Sequence, residues 1–241
     1  MLRFLFTVFG ATFAFEVMPL GIIFVVLGAA AVLSTSVVAI FQDDIKRMLA
    51  YSSVGQVGFL LMGVAALSTL SSNGLMVHLV GYSVTNLAVF FAITAFYNVT
   101  GKEEIADFAG LTARSPFLAA SITVSLFSLA GLPFLAGFVT KFYLFSAAAA
   151  EDLLWLAGVA MVASLISLYY YLNVIREMYI SPAAEGEDGI IQTPGLLYGL
   201  VGVLVIFVIL LGVYPDPVVS IIENATSVIL PAGDAAAFNF R

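Results

Sequence analysis

The sequence predicts an all-α membrane protein, a polytopic bundle of about six transmembrane helices. Three observations predict it. Of 241 residues, 62% are hydrophobic and only 10% are charged, against about 25% charged in soluble domains, and the mean hydropathy is +1.13. The apolar residues gather into runs of about 20 or more, enough to cross ~30 Å of hydrocarbon at 1.5 Å per residue. These runs are apolar on every face and lack the alternation over about 10 residues that marks barrel strands. The same composition excludes a soluble enzyme and a disordered chain. A net charge of −7, from 8 basic and 15 acidic residues, argues against a basic groove for nucleic acid. With no cysteine, the chain holds no disulfide, thiolate metal site or iron–sulfur ligation.

The elements follow in order. Met1–Ala14 is apolar but too short to span, and residues 1–16 read as the end of a severed helix rather than a signal peptide. Residues 17–214 form the transmembrane bundle. Its first span is Met18–Phe41. Asp43 and Asp44 stand at the expected N-terminus of the second, Met48–Leu70, where the helix dipole favours acids. The third is Met76–Asn98. The fourth run, Phe117–Ala150, would be about 50 Å long as one helix. It contains Gly131-Leu132-Pro133, and Pro133 has no N–H to give and clashes with the carbonyl of Leu129. A discontinuous helix broken at Gly131 and Pro133 is therefore expected, and such breaks are tolerated when buried in protein or beside a wet cavity. Leu153–Ile180 is the fifth span, Ser181–Pro194 a polar connector, and Gly195–Tyr214 the sixth span, opened by Gly195-x-x-x-Gly199, a weak signal for close helix contact. Residues 215–241 are an external tail, with room for a short interfacial helix at Val218–Leu230.

Six crossings place Lys46, Arg47, Lys102, Arg114 and Arg176 on one side of the membrane and only Arg3 and Arg241 on the other. Basic loops stay in the cytoplasm, so the expected C-terminus is outside, in a bacterial-type inner membrane.

Few residues in these spans carry chemistry. Lys141 lies beyond the break in the fourth run, which continues for nine largely apolar positions after it. A lysine at membrane depth costs about 2.5–3.5 kcal/mol, and desolvation disfavours the charged form of a side chain, which equips a buried lysine for proton exchange. The plainer reading is a lysine that snorkels to the interface. His78, Tyr82 and Thr85, with Asn86 close by, share one face of the third span by three- and four-residue steps. They suit either a hydrogen-bonded relay toward Lys141 or polar glue between helices. Lys46, one turn or less inside the second span, is a candidate for proton entry or an anchor. A single histidine cannot fill a metal's coordination shell, so no metal site is expected.

Four strings carry a family resemblance. Gln42-Asp-Asp-Ile-Lys-Arg-Met-Leu-Ala-Tyr-Ser-Ser-Val-Gly-Gln-Val-Gly58 and Ser128-Leu-Ala-Gly-Leu-Pro-Phe-Leu-Ala-Gly-Phe-Val-Thr-Lys-Phe-Tyr-Leu-Phe145 resemble the antiporter-like subunits of respiratory complex I, a family that includes the Mrp-type antiporters. Gly81-Tyr-Ser-Val-Thr-Asn-Leu-Ala-Val-Phe90 and Glu104-Ile-Ala-Asp-Phe-Ala-Gly-Leu111 are similar to the subunit N branch. The resemblance implies a fold of fourteen helices in two inverted repeats, of which this chain resembles the second half. It places Lys141 at the family's functional lysine in the broken twelfth helix and the third span at the eleventh. The family's input glutamate, its other broken-helix lysine and its central lysine have no position here. A fragment, or a natural half completed by a separate chain, is expected.

The resemblance further implies a proton-translocating membrane subunit of NADH–quinone oxidoreductase with no redox catalysis of its own. NADH, flavin, iron–sulfur clusters and quinone would belong to other subunits. Its partners would be neighbouring antiporter-like subunits and the lipid bilayer, with no nucleic acid. The rival readings are a subunit of a sodium/proton antiporter or membrane-bound hydrogenase and a non-conducting assembly subunit.

Overall fold

The computed structural model describes residues 18, 20–66, 69–151, 153–183, 189–191 and 193–229. The expected severed helix at 1–16 and the acids at 185–188 lie outside them. The elements are α1 (Leu20–Ile40), α2 (Ile45–Ala66), α3 (Thr69–Thr100), a 3₁₀ turn (Ile105–Phe108), the one-turn α4 (Leu111–Arg114), α5 (Pro116–Ala130), α6 (Ala136–Ala150), α7 (Leu154–Tyr179), α8 (Gly195–Val213) and α9 (Asp216–Ile229). Among the described residues α1, α2, α3, α7 and α8 are each long and apolar enough to cross a membrane. The expected fourth, discontinuous span is present as two shorter apolar helices, α5 and α6. The chain is a multi-pass membrane protein.

Small residues set the helix contacts. α1 and α2 meet at Gly28 and Gly58, where a Cβ on Gly58 would stand 3.0 Å from the Gly28 carbonyl oxygen and 2.6 Å from Val32. Lipid tails are as apolar as leucine, so close packing rather than burial from water drives helices together. α8 buries only Val201, Val208 and Leu211 and leaves most of its apolar surface outward, as a helix at the lipid boundary does. Its expected contact motif is not used, since no described atom lies within 4 Å of a Cβ built on Gly195 or Gly199. The close approach comes instead at Gly212, where a Cβ would meet the Phe134 carbonyl oxygen and Leu135 at 2.4 Å.

The basic residues collect at one end, as the span count required. Asp44 accepts the Arg47 N–H at 2.7 Å and so caps α2. Asp44 and Glu104 pair as an isolated antiparallel bridge, Ile45 N donating to Glu103 O at 3.1 Å and Ile105 N to Asp43 O at 2.7 Å. Lys46 pairs with Glu103, Lys102 stands 3.8 Å from Asp107, and Arg176 lines a crevice with Asp43 and Glu104. Arg114 closes the group through Ile191 N to Arg114 O at 3.1 Å. The opposite end carries, among the described residues, Glu151, Asp216 and Glu223.

Two boundaries differ from expectation. α3 begins at Thr69, so Ser71 and Ser72, which fall between the expected second and third spans, are buried in a helix of 32 residues. The tail from Asp216 forms α9, whose Val219 and Ile222 pack with Val77 near the start of α3. Its acidic first turn suits the helix dipole.

The charge distribution makes a topological prediction. In the membrane, Ala106→Cys at the basic end should react with an impermeant thiol reagent only from the cytoplasmic side, and Ser220→Cys on α9 only from the other. Labelling of both from one side would refute the six-crossing topology.

Candidate functional site: a lysine folded into a broken helix

The site begins with the way α5 ends. Gly131 adopts φ +90°, its N–H reaches Ser128 O at 2.9 Å, and Leu132 N reaches Phe127 O at 3.0 Å. This is a Schellman closure, which needs a left-handed residue that glycine supplies without a Cβ clash. The closure satisfies Phe127 and Ser128 and leaves the carbonyls of Leu129 and Ala130 open, because Pro133 offers no N–H. Each half-helix has 15 residues, about 22 Å at 1.5 Å per residue, so the break falls near the middle of the span.

Lys141 fills the gap. Its Nζ folds back from α6 and donates to Leu129 O at 2.8 Å, Ala130 O at 3.2 Å and Ser164 Oγ at 3.1 Å on α7. Only 4% of the residue is exposed, which overturns the snorkelling alternative within this fold. Nζ also lies 5.0 Å from the centroid of the Phe59 ring, a favourable place for a cation. Among the described residues no carboxylate lies within ion-pair distance of it. The cation instead faces the negative end of the α5 dipole.

The break is tied from the other direction as well. Ser128 Oγ accepts the Gly137 N–H at 3.0 Å, satisfying one of the open donors at the start of α6. A Cβ on Gly137 would stand 1.7 Å from the Ser128 carbonyl oxygen, so only glycine permits this approach. Between the helices, Phe134 holds φ +67°, a strained conformation for a non-glycine residue worth about 1–2 kcal/mol.

The polar face of α3 reaches the same place. His78 Nδ1 is 3.1 Å from Thr140 Oγ1, one residue before the lysine. Thr85 Oγ1 is 3.1 Å from Ser128 Oγ and donates to Gly81 O at 2.8 Å. Tyr82 stacks on His78 with ring centroids 6.4 Å apart, while Asn86 is half-buried on the same helix. His78, Tyr82, Thr85 and Lys141 line one small cavity with Gln56 and Ser128, of about 10 Å³, close to the volume that holds one water. His78 Nε2 is buried with no hydrogen-bond partner among the described residues. A second, larger crevice of about 340 Å³ opens beside Lys141 between α6 and α7, lined by Phe138, Phe142 and Leu165.

The structure brings together Lys141, His78, Tyr82 and Thr85 and leaves Lys46 apart. Lys46 is at the basic end, paired with Glu103 and 3.7 Å from the centroid of the Tyr97 ring. Sequence reasoning missed Ser128, Thr140 and Ser164 as parts of the site. Ser164, Ser167 and Tyr171 recur at the helical spacing that singled out the α3 face, so their signal was present. No group of three or more His, Cys, Asp or Glu residues that could hold a metal occurs among the described residues.

Comparison with known proteins identifies the family and the fold. Residues 3–167 match the family described as "NADH:quinone oxidoreductase/Mrp antiporter, TM". The chain is 42% identical over 203 residues to NADH-quinone oxidoreductase subunit N of Moorella thermoacetica, which covers 84% of this chain and 42% of that protein. It is similar in structure to a chain of the membrane-bound sulfane sulfur reductase, an archaeal respiratory membrane complex, with a TM-score of 0.81, 27% identity, and 91% of this chain and 44% of that one covered. It is also similar to a chain of respiratory complex I from Thermus thermophilus, with a TM-score of 0.67, 26% identity, and 82% and 44% covered. The chain therefore spans about half the length of the curated relatives it matches.

The contact between the half-helices can be tested by crowding it. Gly137→Ala should cost at least 1–3 kcal/mol, the usual range for overpacking, read as a lower melting temperature and a lower level of the chain in membranes. Gly199→Ala, in open space, should leave both unchanged.

Proposed function

Because the chain belongs to the NADH:quinone oxidoreductase/Mrp antiporter transmembrane family, we propose that it takes part in proton translocation in the membrane arm of an NADH–quinone oxidoreductase. The redox chemistry falls to other subunits, and the partners are neighbouring antiporter-like membrane subunits. One observation carries this reading: the three partners of Lys141 suit both of its protonation states.

As an ammonium, Nζ donates to two carbonyls and one hydroxyl. As a neutral amine it keeps both carbonyls as acceptors and accepts a hydrogen bond from Ser164, since a hydroxyl can serve either way. Neither state leaves a buried group unpaired, so neither carries the penalty that would lock the lysine in the other. An ion-paired lysine would lack this balance. A passive packing helix would be better served by leucine at this depth.

The drive is electrostatic. A like charge arriving about 10 Å away raises the energy of the ammonium by roughly 1.7 kcal/mol at an effective dielectric of about 20. That changes the protonation equilibrium constant by more than tenfold. His78, Tyr82 and Thr85 lie on the α3 side of the same cavity, where one water would extend a hydrogen-bonded line from the lysine. Lys46 is a surface group for proton capture at the basic end. The lack of carboxylates around Lys141 among the described residues favours protons over sodium, because hard cations take several oxygen ligands with acids among them.

Substitution at Lys141 tests the proposal in the assembled complex. Lys141→Met keeps the length and removes the charge, so assembly should be normal while coupled proton transport falls by roughly a hundredfold. Lys141→Arg should also fail to transport, since guanidinium keeps its proton. Full transport by the Met variant would refute the proposal. For His78, His78→Leu should slow transport with normal subunit levels; lost assembly would make it glue between α3 and α6.

A further inference from the structure

We propose that Phe59 on α2 sets the charge preference of Lys141: the face of its ring holds Nζ at the break and weights the lysine toward the ammonium form. This rests on the reading that Lys141 exchanges a proton. It assigns to one aromatic side chain the threshold at which the exchange occurs.

The other neighbours of Nζ do not play this part. The Leu129 and Ala130 carbonyls and the dipole of α5 also favour a cation, but they are backbone groups and follow from the break itself. Ser164 Oγ accepts from an ammonium and donates to an amine, so it serves both forms. An aromatic face tells the two apart. Its negative quadrupole attracts a full positive charge and gains much less from a neutral amine. The Phe59 centroid is 5.0 Å from Nζ, inside the ~6 Å over which that attraction counts, and the attraction is strongest where water is excluded. Phe59 and Lys141 are each only 4% exposed. Lys46 offers the contrast. It lies 3.7 Å from the Tyr97 centroid but also pairs with Glu103, whereas among the described residues no carboxylate stands within ion-pair distance of Lys141.

The fold fixes the ring in place. Gln56, one turn earlier on α2, directs Nε2 to Leu129 O at 3.5 Å, the same carbonyl that Lys141 meets. One turn later, Gly63 lets α2 close on α6, since a Cβ there would stand 2.5 Å from Leu144. The Phe59 ring packs against Phe145, with centroids 6.1 Å apart, and against His78 at 6.2 Å with the planes 79° apart. Phe59 also joins Val32, Met62 and Leu144 in one buried cluster. The ring therefore fills space as well as facing a charge, and the test must separate the two roles.

The test replaces Phe59, in the complete complex, by phenylalanines that carry one, two and three ring fluorines. Each fluorine draws density from the face and weakens its hold on a cation while adding little volume. At unchanged subunit level, the midpoint of proton transport against pH in sealed vesicles should move stepwise to lower pH, by roughly 0.1–0.5 unit per fluorine. The full series then spans about two- to thirtyfold in the protonation equilibrium. The ammonium share of the ¹⁵N-labelled Lys141 side chain should fall in the same order. A midpoint that stays put through the series, or that moves only where the subunit level falls, would overturn the proposal and leave Phe59 a packing residue. Lys141→Met separates this failure from that of the reading beneath. Full transport by that variant removes the reading and the proposal with it. Lost transport by that variant, beside a fluorinated series that does not shift, removes only the role of Phe59.

Discussion

The exchange of hydrogen bonds across the broken helix is the constraint on which the rest of the structure depends. α5 ends with two open carbonyls at membrane depth, and α6 begins with open N–H groups. Each orphan costs several kcal/mol where no water can meet it. Lys141 of α6 satisfies the carbonyls of α5, and Ser128 of α5 satisfies Gly137 of α6. The costly lysine and the costly break thus offset one another. Neither would be tolerated alone.

The neighbouring helices are shaped by this exchange. α3 comes near enough for His78 to reach Thr140 only because Gly81 lacks a Cβ, which would stand 2.5 Å from the Thr140 methyl. α8 covers the break at Gly212, and α7 contributes Ser164. Three helices close on one pair of half-helices, and each brings a small or hydroxyl residue rather than a bulky apolar one. The outcome is a lysine buried among dipoles, with no fixed counter-charge among the described residues to hold it in one state.

Much of this was legible in the sequence, and the reasons are particular. The break could be read because an over-long apolar run and a proline permit few other structures, and the missing N–H of Pro133 already named Leu129 as the open carbonyl. The α3 stripe could be read because a helix puts His78, Tyr82 and Thr85 on one face whatever surrounds it. The gathering of basic residues followed from counting crossings. What could not be read depends on partners far apart in the chain. That Lys141 turns back to the break instead of onward, and that Ser128 meets Gly137, are matters of tertiary approach. The boundary at Thr69 was misplaced because Ser71 and Ser72 resemble loop residues until they are seen buried. The Gly195-x-x-x-Gly199 pattern misled for the opposite reason, being correct chemistry on a face with no neighbour among the described residues.

The account stands on Lys141 changing protonation while its partners stay in place, and magnetic resonance of its side-chain nitrogen reads that directly. With ¹⁵N-lysine in the assembled complex, the Lys141 signal can be assigned by its loss in the Lys141→Arg protein. Two spectra would then be compared, one at rest and one under an imposed proton gradient. The account predicts a shift of this signal between ammonium and amine positions, with Lys46 and Lys102 unmoved. A Lys141 signal fixed in the ammonium position under both conditions would contradict it.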